Sequence, residues 1–428
     1  MRIKSDFLWD RNIRILLIFI LLGIFLRLIL MPTTLHVDLL SASFRQYLFV
    51  DSKIFRLFML PEAFLSSYFV VIKPYIHLIP EVVNKTIESG QYGVYAEATD
   101  TVDLFARSSV AMRTLFVLKL PYLLFEVLLI PVVLGMFKNS REKLWFFALW
   151  WLNPLILYST YAWGRYDIFA IFLVLISLSY ARQKKDAKSF IFLGIAIACR
   201  ESFALVLPLY LIYFHKNYVK MIINLLIAFL PTMLGSIVFD FLKSQNSSVI
   251  STLVVDSKIF SFSIDYALKA KLGSPWLEIS PLLVLLPLLY YLFYRKEQRS
   301  FLNLLSFSTS VMIVFLSLSY IHVHYLLWLT PFFVYSMIFN KKILWPVIVY
   351  LISAFLYFDA FFGANVSLAM FRPLNYELFS NVGSITDTLF FSIRKENLLV
   401  ILNTARLASG GIVVYLLLKK NNEIKAEN

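Results

Sequence analysis

The chain has 428 residues, of which 60% are hydrophobic, 17% aromatic and only 15% charged, with a formal net charge of +14. A soluble domain is about half apolar and about a quarter charged, so this composition excludes a set of ordinary soluble domains. The basic excess does not point to nucleic acid, because Lys and Arg fall in short clusters between apolar runs, where they act as topology signals. The single cysteine, Cys199, cannot form an internal disulfide and says nothing of redox compartment.

In chain order, residues 1–14 are basic and lead into an apolar run at 13–31 with no small-residue cleavage site, which predicts an uncleaved first helix. Further apolar runs follow at 113–137, 144–163, 168–181, 221–241, 277–294, 301–318, 325–339, 343–362 and 398–418. A helix of about 20 apolar residues crosses a bilayer, and the runs are too long and uniform for the alternating strands of a membrane barrel. Two stretches are ambiguous. Residues 61–80 are broken by Lys73-Pro74, and 190–214 are interrupted by Cys199-Arg200-Glu201. The predicted fold class is an all-α membrane protein, a polytopic bundle of about 10–12 segments, with short outer-face helices and broken or re-entrant segments. Residues 1–418 form one transmembrane domain, whose first outer loop, 32–112, carries surface helices. Residues 419–428 form a cytoplasmic polar tail, whose last residues, 421–428, are expected to lack structure.

Charge decides the parity. Arg2, Lys4, Arg11 and Arg14 place the N-terminus inside, and the clusters around Arg141 and Lys184 mark inside loops. If 190–214 were one simple span, Arg295, Lys296, Arg299, Lys341-Lys342 and Lys419-Lys420 would all fall outside. If it is a broken hairpin that enters and leaves on the cytoplasmic side, every basic cluster falls inside, and the long loops 32–112, 243–276 and 363–397 fall outside. The hairpin is the expected arrangement. The sequons at Asn84, Asn246 and Asn365 all lie on these outer loops.

Charges at membrane depth are costly and therefore identify candidate sites. His36-Val37-Asp38 follows the first span, near Arg45 and after Arg27, which lies one turn inside the helix, and offers a carboxylate that can serve as a general base. Asn153-Pro154 is followed by Gly164-Arg165-Tyr166-Asp167 at a tight helix turn, where Arg165 supplies the fixed donors suited to phosphate. His322-Val323-His324-Tyr325 stands at another helix mouth and is read as phosphate or sugar contact, since no Cys/His cluster completes a zinc site. Lys119 and Glu126 share a helix face and are expected to pair with other helices. Arg200-Glu201 interrupts its own helix. No nucleotide-binding loop is present. On an outward face nucleotide sugars are not at hand, so a transferase there needs a donor delivered within the bilayer.

These motifs resemble the polytopic GT-C glycosyltransferases that use polyprenyl-phosphate sugars, the mannosyltransferase-like members above all. LKLPYLLFEVLL is similar to the family's Lys-x-Pro helix with a following acid, and WWLNPLILYSTYAWGRYD to its Asn-Pro…Gly-Gln-x-Asp stretch. FLGIAIACRESFALVLP is similar to its Gly…Lys…Pro segment, and HVHYLLWLTPFF to its late His-Tyr…Trp…Pro segment. The resemblance covers about residues 13–339 and is strongest over 115–208. Arg165 stands where the family has Gln, and Arg200 where it has Lys. The resemblance implies inverting transfer of a hexose from a polyprenyl-phosphate donor to a lipid-linked or other glycan acceptor, on the non-cytoplasmic face. Asp38 would act as base, with Arg165, Asp167, His322, His324, Arg45, Arg200 and Lys119 holding the substrate or donor phosphate. The lipid-phosphate sugar is then a co-substrate and no cofactor is expected, with a divalent metal left open. The expected location is the plasma membrane in a prokaryote and the endoplasmic reticulum in a eukaryote. The rival class is a transporter or flippase of a lipid-linked glycan, but no inverted repeat supports it. A lipid-glycan polymerase or ligase would call for a large Arg-rich outer loop.

Overall fold

The computed structural model describes residues 11–52, 60–88, 99–137, 139–244, 280–297, 299–318 and 322–426, and contains no strand among them. The protein is an all-α membrane protein. Six described helices are long and apolar enough to cross a bilayer: Arg14–Thr33, Ala111–Met136, Tyr218–Gly235, Phe301–Leu318, Lys341–Phe371 and Lys395–Lys419. Three more apolar helical stretches are shorter, Glu201–Phe214, Pro281–Tyr294 and Val323–Phe339. Large apolar side chains such as Leu21, Val219, Ile222 and Leu283 point outward, as expected where lipid rather than water is the solvent. Most of loop 243–276, with Asn246, and the basic residues Arg2, Lys4 and Lys138 lie outside the described residues.

The bundle begins with α1 (Arg11–Thr33). The first long connection folds into four helices: α2 (Val37–Ser52), α3 (Leu60–Ile72), α4 (Leu78–Glu88) and α5 (Thr99–Ala106). They share a small core of their own around Leu39, Phe69, Ile79, Val82 and Phe105. Helix α3 lies along α6 (Ala111–Met136), where Phe64 meets Phe125 at 5.3 Å and Tyr68 Oη donates to the Val117 carbonyl at 2.9 Å. The stretch 61–80 is therefore a helix ended by Pro74 and a turn. Its first half, 61–72, lies beside α6.

The predicted span 144–163 is broken. Helix α7 (Ser140–Trp151) stops at Asn153-Pro154, where the proline has no N–H to continue the ladder. The chain then forms a π-helical segment, Leu157–Ala162, closed by the Trp163 N–H donating to the Tyr158 carbonyl at 2.7 Å. One extra residue per turn re-aims everything after it, and such segments recur at functional sites.

The expected break at Arg200 is present. Helix α8 (Asp167–Arg182) is followed by α9 (Asp186–Cys199), which ends on an extended Arg200. A 3-10 turn, Glu201–Val206, leads into α10 (Leu207–Phe214). The two arms of this hairpin return to the same end: His215 Nε2 stands 3.8 Å from Asp186 Oδ2, and Phe190 meets Phe214 at 5.6 Å. Helix α9 packs closely on α11 (Tyr218–Ser244) through Gly194, where a Cβ would stand 2.3 Å from the Ala228 carbonyl oxygen.

The rest of the bundle is α12 (Pro281–Tyr294), α13 (Phe301–Leu318), α14 (Thr330–Phe339, entered through a 3-10 segment Val323–Leu329), α15 (Leu344–Phe362) and α16 (Lys395–Ala426). Residues 421–426 of the polar tail, expected to lack structure, continue α16 instead. They include Lys, Glu and Ala, which favour helix, and no Gly or Pro that would stop it.

The basic connections meet at one end. Arg182 donates to the Met136 carbonyl at 3.0 Å and lies over the Phe137 and Phe339 rings. Lys341 sits over Trp145, Lys184 reaches the Arg299 carbonyl, and Arg299 donates to the carbonyls of Ile212 and His215. Asn340 Nδ2 approaches the Leu416 carbonyl at 3.4 Å, which brings the end of α16 to the same place.

Candidate functional site

The opposite end of the bundle collects the polar residues of four separate stretches. Asp38 lies in the first turn of α2, where a carboxylate is favoured by the exposed N–H groups of the helix start. Its position depends on the short link 34–36. Lys119 Nζ donates to the Thr34 carbonyl at 2.6 Å, Thr34 Oγ1 donates to the Tyr161 carbonyl at 3.1 Å, and the Leu35 N–H donates to the Met370 carbonyl at 2.8 Å. The Asp38 N–H donates to His36 Nδ1 at 3.1 Å, and the His36 ring lies 3.7 Å from that of Trp163. The link is thus held from α6, from the π segment and from the stretch after α15.

Gly164 brings α2 against the π segment. It has φ +82, and a Cβ there would stand 2.9 Å from Leu39 Cβ. Only glycine adopts that backbone cheaply while leaving room for the helix. Its carbonyl accepts from Tyr122 Oη at 3.1 Å. The neighbours of Gly164 on both sides therefore face Asp38.

Trp163 Nε1 donates to Asp38 Oδ2 at 2.7 Å, and Arg165 Nη1 reaches the same oxygen at 3.4 Å. Arg165 Nε also meets Asp167 Oδ2 at 3.4 Å. Asp167 is fully buried and saturated: Arg200 Nη2 donates to Oδ2 at 2.9 Å, Arg200 Nε contacts Oδ1, and Trp328 Nε1 donates to Oδ1 at 2.7 Å. The charges alternate, Asp38–Arg165–Asp167–Arg200, and sum to zero. The Arg200 guanidinium also lies over the Tyr166 ring at 4.8 Å. The two ends of the chain of charges differ in access. The Asp38 side chain keeps 27% of its exposure and Arg165 14%, whereas Arg200 keeps 3% and Asp167 none.

Burial alone would raise the Asp38 carboxyl. Arg165, His36, the Trp163 N–H and His322 outweigh it and bring the group down to about 2. His36 is pushed down to about 4 by burial, with Asp38 opposing and Arg165 and His322 adding. His322 is lowered by burial, opposed by Asp38 and reinforced by Arg165. Around neutral pH the site presents an ionised carboxylate, one accessible guanidinium and uncharged imidazoles at His36 and His322.

The histidines form one wall. The rings of His322 and His324 stack at 5.5 Å and 15°, and His324 lies 5.5 Å from Trp163. His322 stacks on Phe362, the last residue of α15, at 5.2 Å. Among the described residues no three His, Cys, Asp or Glu side chains converge on a common point; His36 Nδ1 and Asp38 Oδ2 are 3.9 Å apart. A cavity of about 250 Å³ opens elsewhere, between the end of α15 and the start of α16, lined by Ala360, Thr386, Asp387 and Lys395 among others.

Comparison with protein-family models, curated proteins and solved structures finds no match.

The structure thus brings Asp38, Arg165, Asp167, Arg200, His322 and His324 together. Lys119 is not beside them: it is fully buried and caps the C-terminal carbonyl end of α1 at Thr34. Arg45, about two turns along α2 from Asp38, reaches Ser41 Oγ at 2.9 Å. Arg27, expected near the Asp38 mouth, instead joins Glu126 at 2.5 Å and the Trp151 carbonyl at 2.8 Å, with its guanidinium over the Trp151 ring. Glu126 thereby pairs with another helix, as expected. The site residues that sequence reasoning passed over are Trp163 and Trp328, each of which gives its indole N–H to a carboxylate. A tryptophan beside Gly164, and another four residues after His324, were the available signal.

Proposed function

We propose that this protein is a GT-C-type glycosyltransferase that moves a hexose from a polyprenyl-phosphate donor to a hydroxyl acceptor, with Asp38 as base. The observation that carries the reading is the Asp38–Arg165 pair. A partly exposed, ionised carboxylate shares its oxygen with a guanidinium whose own second contact, at 3.4 Å, is loose. Such an arginine can turn to a phosphate without leaving a buried charge alone, because Arg200 and Trp328 already satisfy Asp167.

The acceptor hydroxyl loses its proton to Asp38 as its oxygen attacks the anomeric carbon. The bond from that carbon to the lipid phosphate breaks, with inversion, and the phosphate leaves as a stable anion that needs no general acid. Arg165 offsets the charge growing on it, a contribution typically worth several kcal/mol in a preorganised site. A carboxyl held near 2 is a poor base at neutral pH. Donor phosphate drawing Arg165 away removes the strongest opposing charge and raises the basicity of Asp38 when substrate is present. Lys119, Asp167 and Arg200 act as positioning residues in this scheme, since none is free to meet a ligand.

The basic connections gathered at the far end support reading that end as cytoplasmic and the site as facing away from the cytoplasm. A donor anchored in the bilayer suits that face. A transporter would be expected to hold its ligand midway along the helices, whereas Asp38 stands at a helix start at one end of the bundle. The test uses purified protein in liposomes with labelled polyprenyl-phosphate hexose and a hydroxyl acceptor. A new glycosidic bond is the expected result. Movement of the lipid across the bilayer without bond formation would replace this reading with the transporter.

A further inference from the structure

His324 is 2% exposed, and neither of its ring nitrogens has a hydrogen-bond partner. Its surroundings are rings: Tyr325 edge-on at 4.4 Å, Trp163 at 5.5 Å and His322 stacked at 5.5 Å. Buried polar groups are almost always paired, and leaving them unpaired is costly. Trp163 is also the residue that donates to Asp38, so this imidazole belongs to the wall of the same site.

The chemistry of the ring selects its partner. The carboxylates nearby are engaged, Asp38 by Arg165 and Asp167 by Arg200, so no counter-charge is left for an imidazolium, and the ring is uncharged. An uncharged imidazole has one N–H donor and one bare nitrogen that accepts. A phosphate diester oxygen can satisfy only the donor. A hydroxyl gives and takes, and neighbouring hydroxyls of a pyranose can satisfy both.

The geometry points to the His324 face as the subsite that reads the hydroxyls of the donor hexose, apart from Arg165, which meets the phosphate. This rests on the glycosyl-transfer reading above. It narrows His324 from phosphate or sugar contact to sugar recognition and makes it a specificity-determining residue.

Equilibrium binding separates the roles. Polyprenyl phosphate with and without its hexose is titrated onto the wild type, His324→Phe and His324→Gln. The wild type should prefer the glycosylated lipid. His324→Phe should lose about ten- to a hundredfold of that preference while binding the bare phosphate as before. His324→Gln, which keeps an acceptor and a donor, should retain part of it. Equal weakening of both lipids by His324→Phe would make the residue a phosphate contact and overturn the inference. An unchanged preference would overturn it too, with water or protein satisfying the ring. If the phenylalanine variant does not fold, the wild type itself is titrated with monodeoxy donors: at least one should bind about tenfold more weakly, and uniform affinity across the series would overturn the inference. A wild type that transfers hexose but fails these tests loses only the subsite. One that neither transfers hexose nor prefers the glycosylated lipid loses the glycosyl-transfer reading as well.

Discussion

Replacing Arg200 with methionine tests whether the buried charges hold the site together. Asp167 is fully buried, and Arg200 contacts both of its oxygens. Removing one member of a buried pair typically costs about 3–5 kcal/mol, because the other charge is left in a poor dielectric. Asp167 would keep the Trp328 N–H at 2.7 Å and the looser Arg165 contact at 3.4 Å. The expected loss is therefore at the low end, about 3 kcal/mol. Neutralising the orphan as well, in Asp167→Asn/Arg200→Met, should recover much of it, with a coupling of about 2 kcal/mol. The assay is reversible unfolding in mixed micelles for the wild type, both single variants and the double. Arg165, pulled toward Asp167 in the single variant, should also slow transfer. A cost for Arg200→Met below about 1 kcal/mol, or strict additivity in the cycle, would refute the claim that Asp167 depends on this partner.

Three further perturbations have defined outcomes. Gly194→Ala puts a Cβ 2.3 Å from the Ala228 backbone oxygen, so α9 and α11 must separate; a stability loss of about 1–3 kcal/mol is expected, and an unchanged melting temperature would contradict the close crossing. Trp163→Phe removes the 2.7 Å donor to Asp38 and so raises its carboxyl pKa; the acid limb of the pH profile of kcat should move upward, and a limb that stays in place would show that the indole does not hold the carboxylate. His36 is lowered in the folded protein, from an ordinary 6.5 to about 4, so folding favours its neutral form. That contribution is full above about pH 6.5 and is lost as the pH falls toward 4. His36→Phe should flatten the decline of melting temperature across that window, and an equally steep decline would assign it to other groups.

Much of the fold was legible because lipid imposes a simple rule on composition. The long apolar runs and the break at Arg200 followed from hydrophobic length and the bookkeeping of basic loops. Asn153-Pro154 was visible as a motif, but not the π segment it opens, since a one-residue change of helical register leaves no mark in hydropathy. Asp38, Arg165, Asp167 and the histidines could be singled out because charge at a helix mouth is costly. Their partners could not be. Trp163 reaches Asp38 across 125 positions of chain, and Trp328 reaches Asp167 across 161; an indole among seventeen percent aromatics looks like any other. Lys119 looked like a ligand group because a buried ammonium is expensive, yet the Thr34 carbonyl at a helix end satisfies it. The stretch after α15 looked like an ordinary outer loop. It ties back through Met370 to Leu35, Val366 to Tyr158 and Arg372 to Asp103, contacts that local sequence does not encode.

The central claim is that Asp38 takes the acceptor's proton. Asp38→Asn keeps an oxygen for Trp163 and the size of the side chain but removes the base. Single-turnover transfer of labelled hexose by this variant, with donor binding and melting temperature measured on the same sample, tests the claim most directly. Loss of transfer with donor binding and folding retained is the predicted result; transfer at the wild-type rate would contradict it.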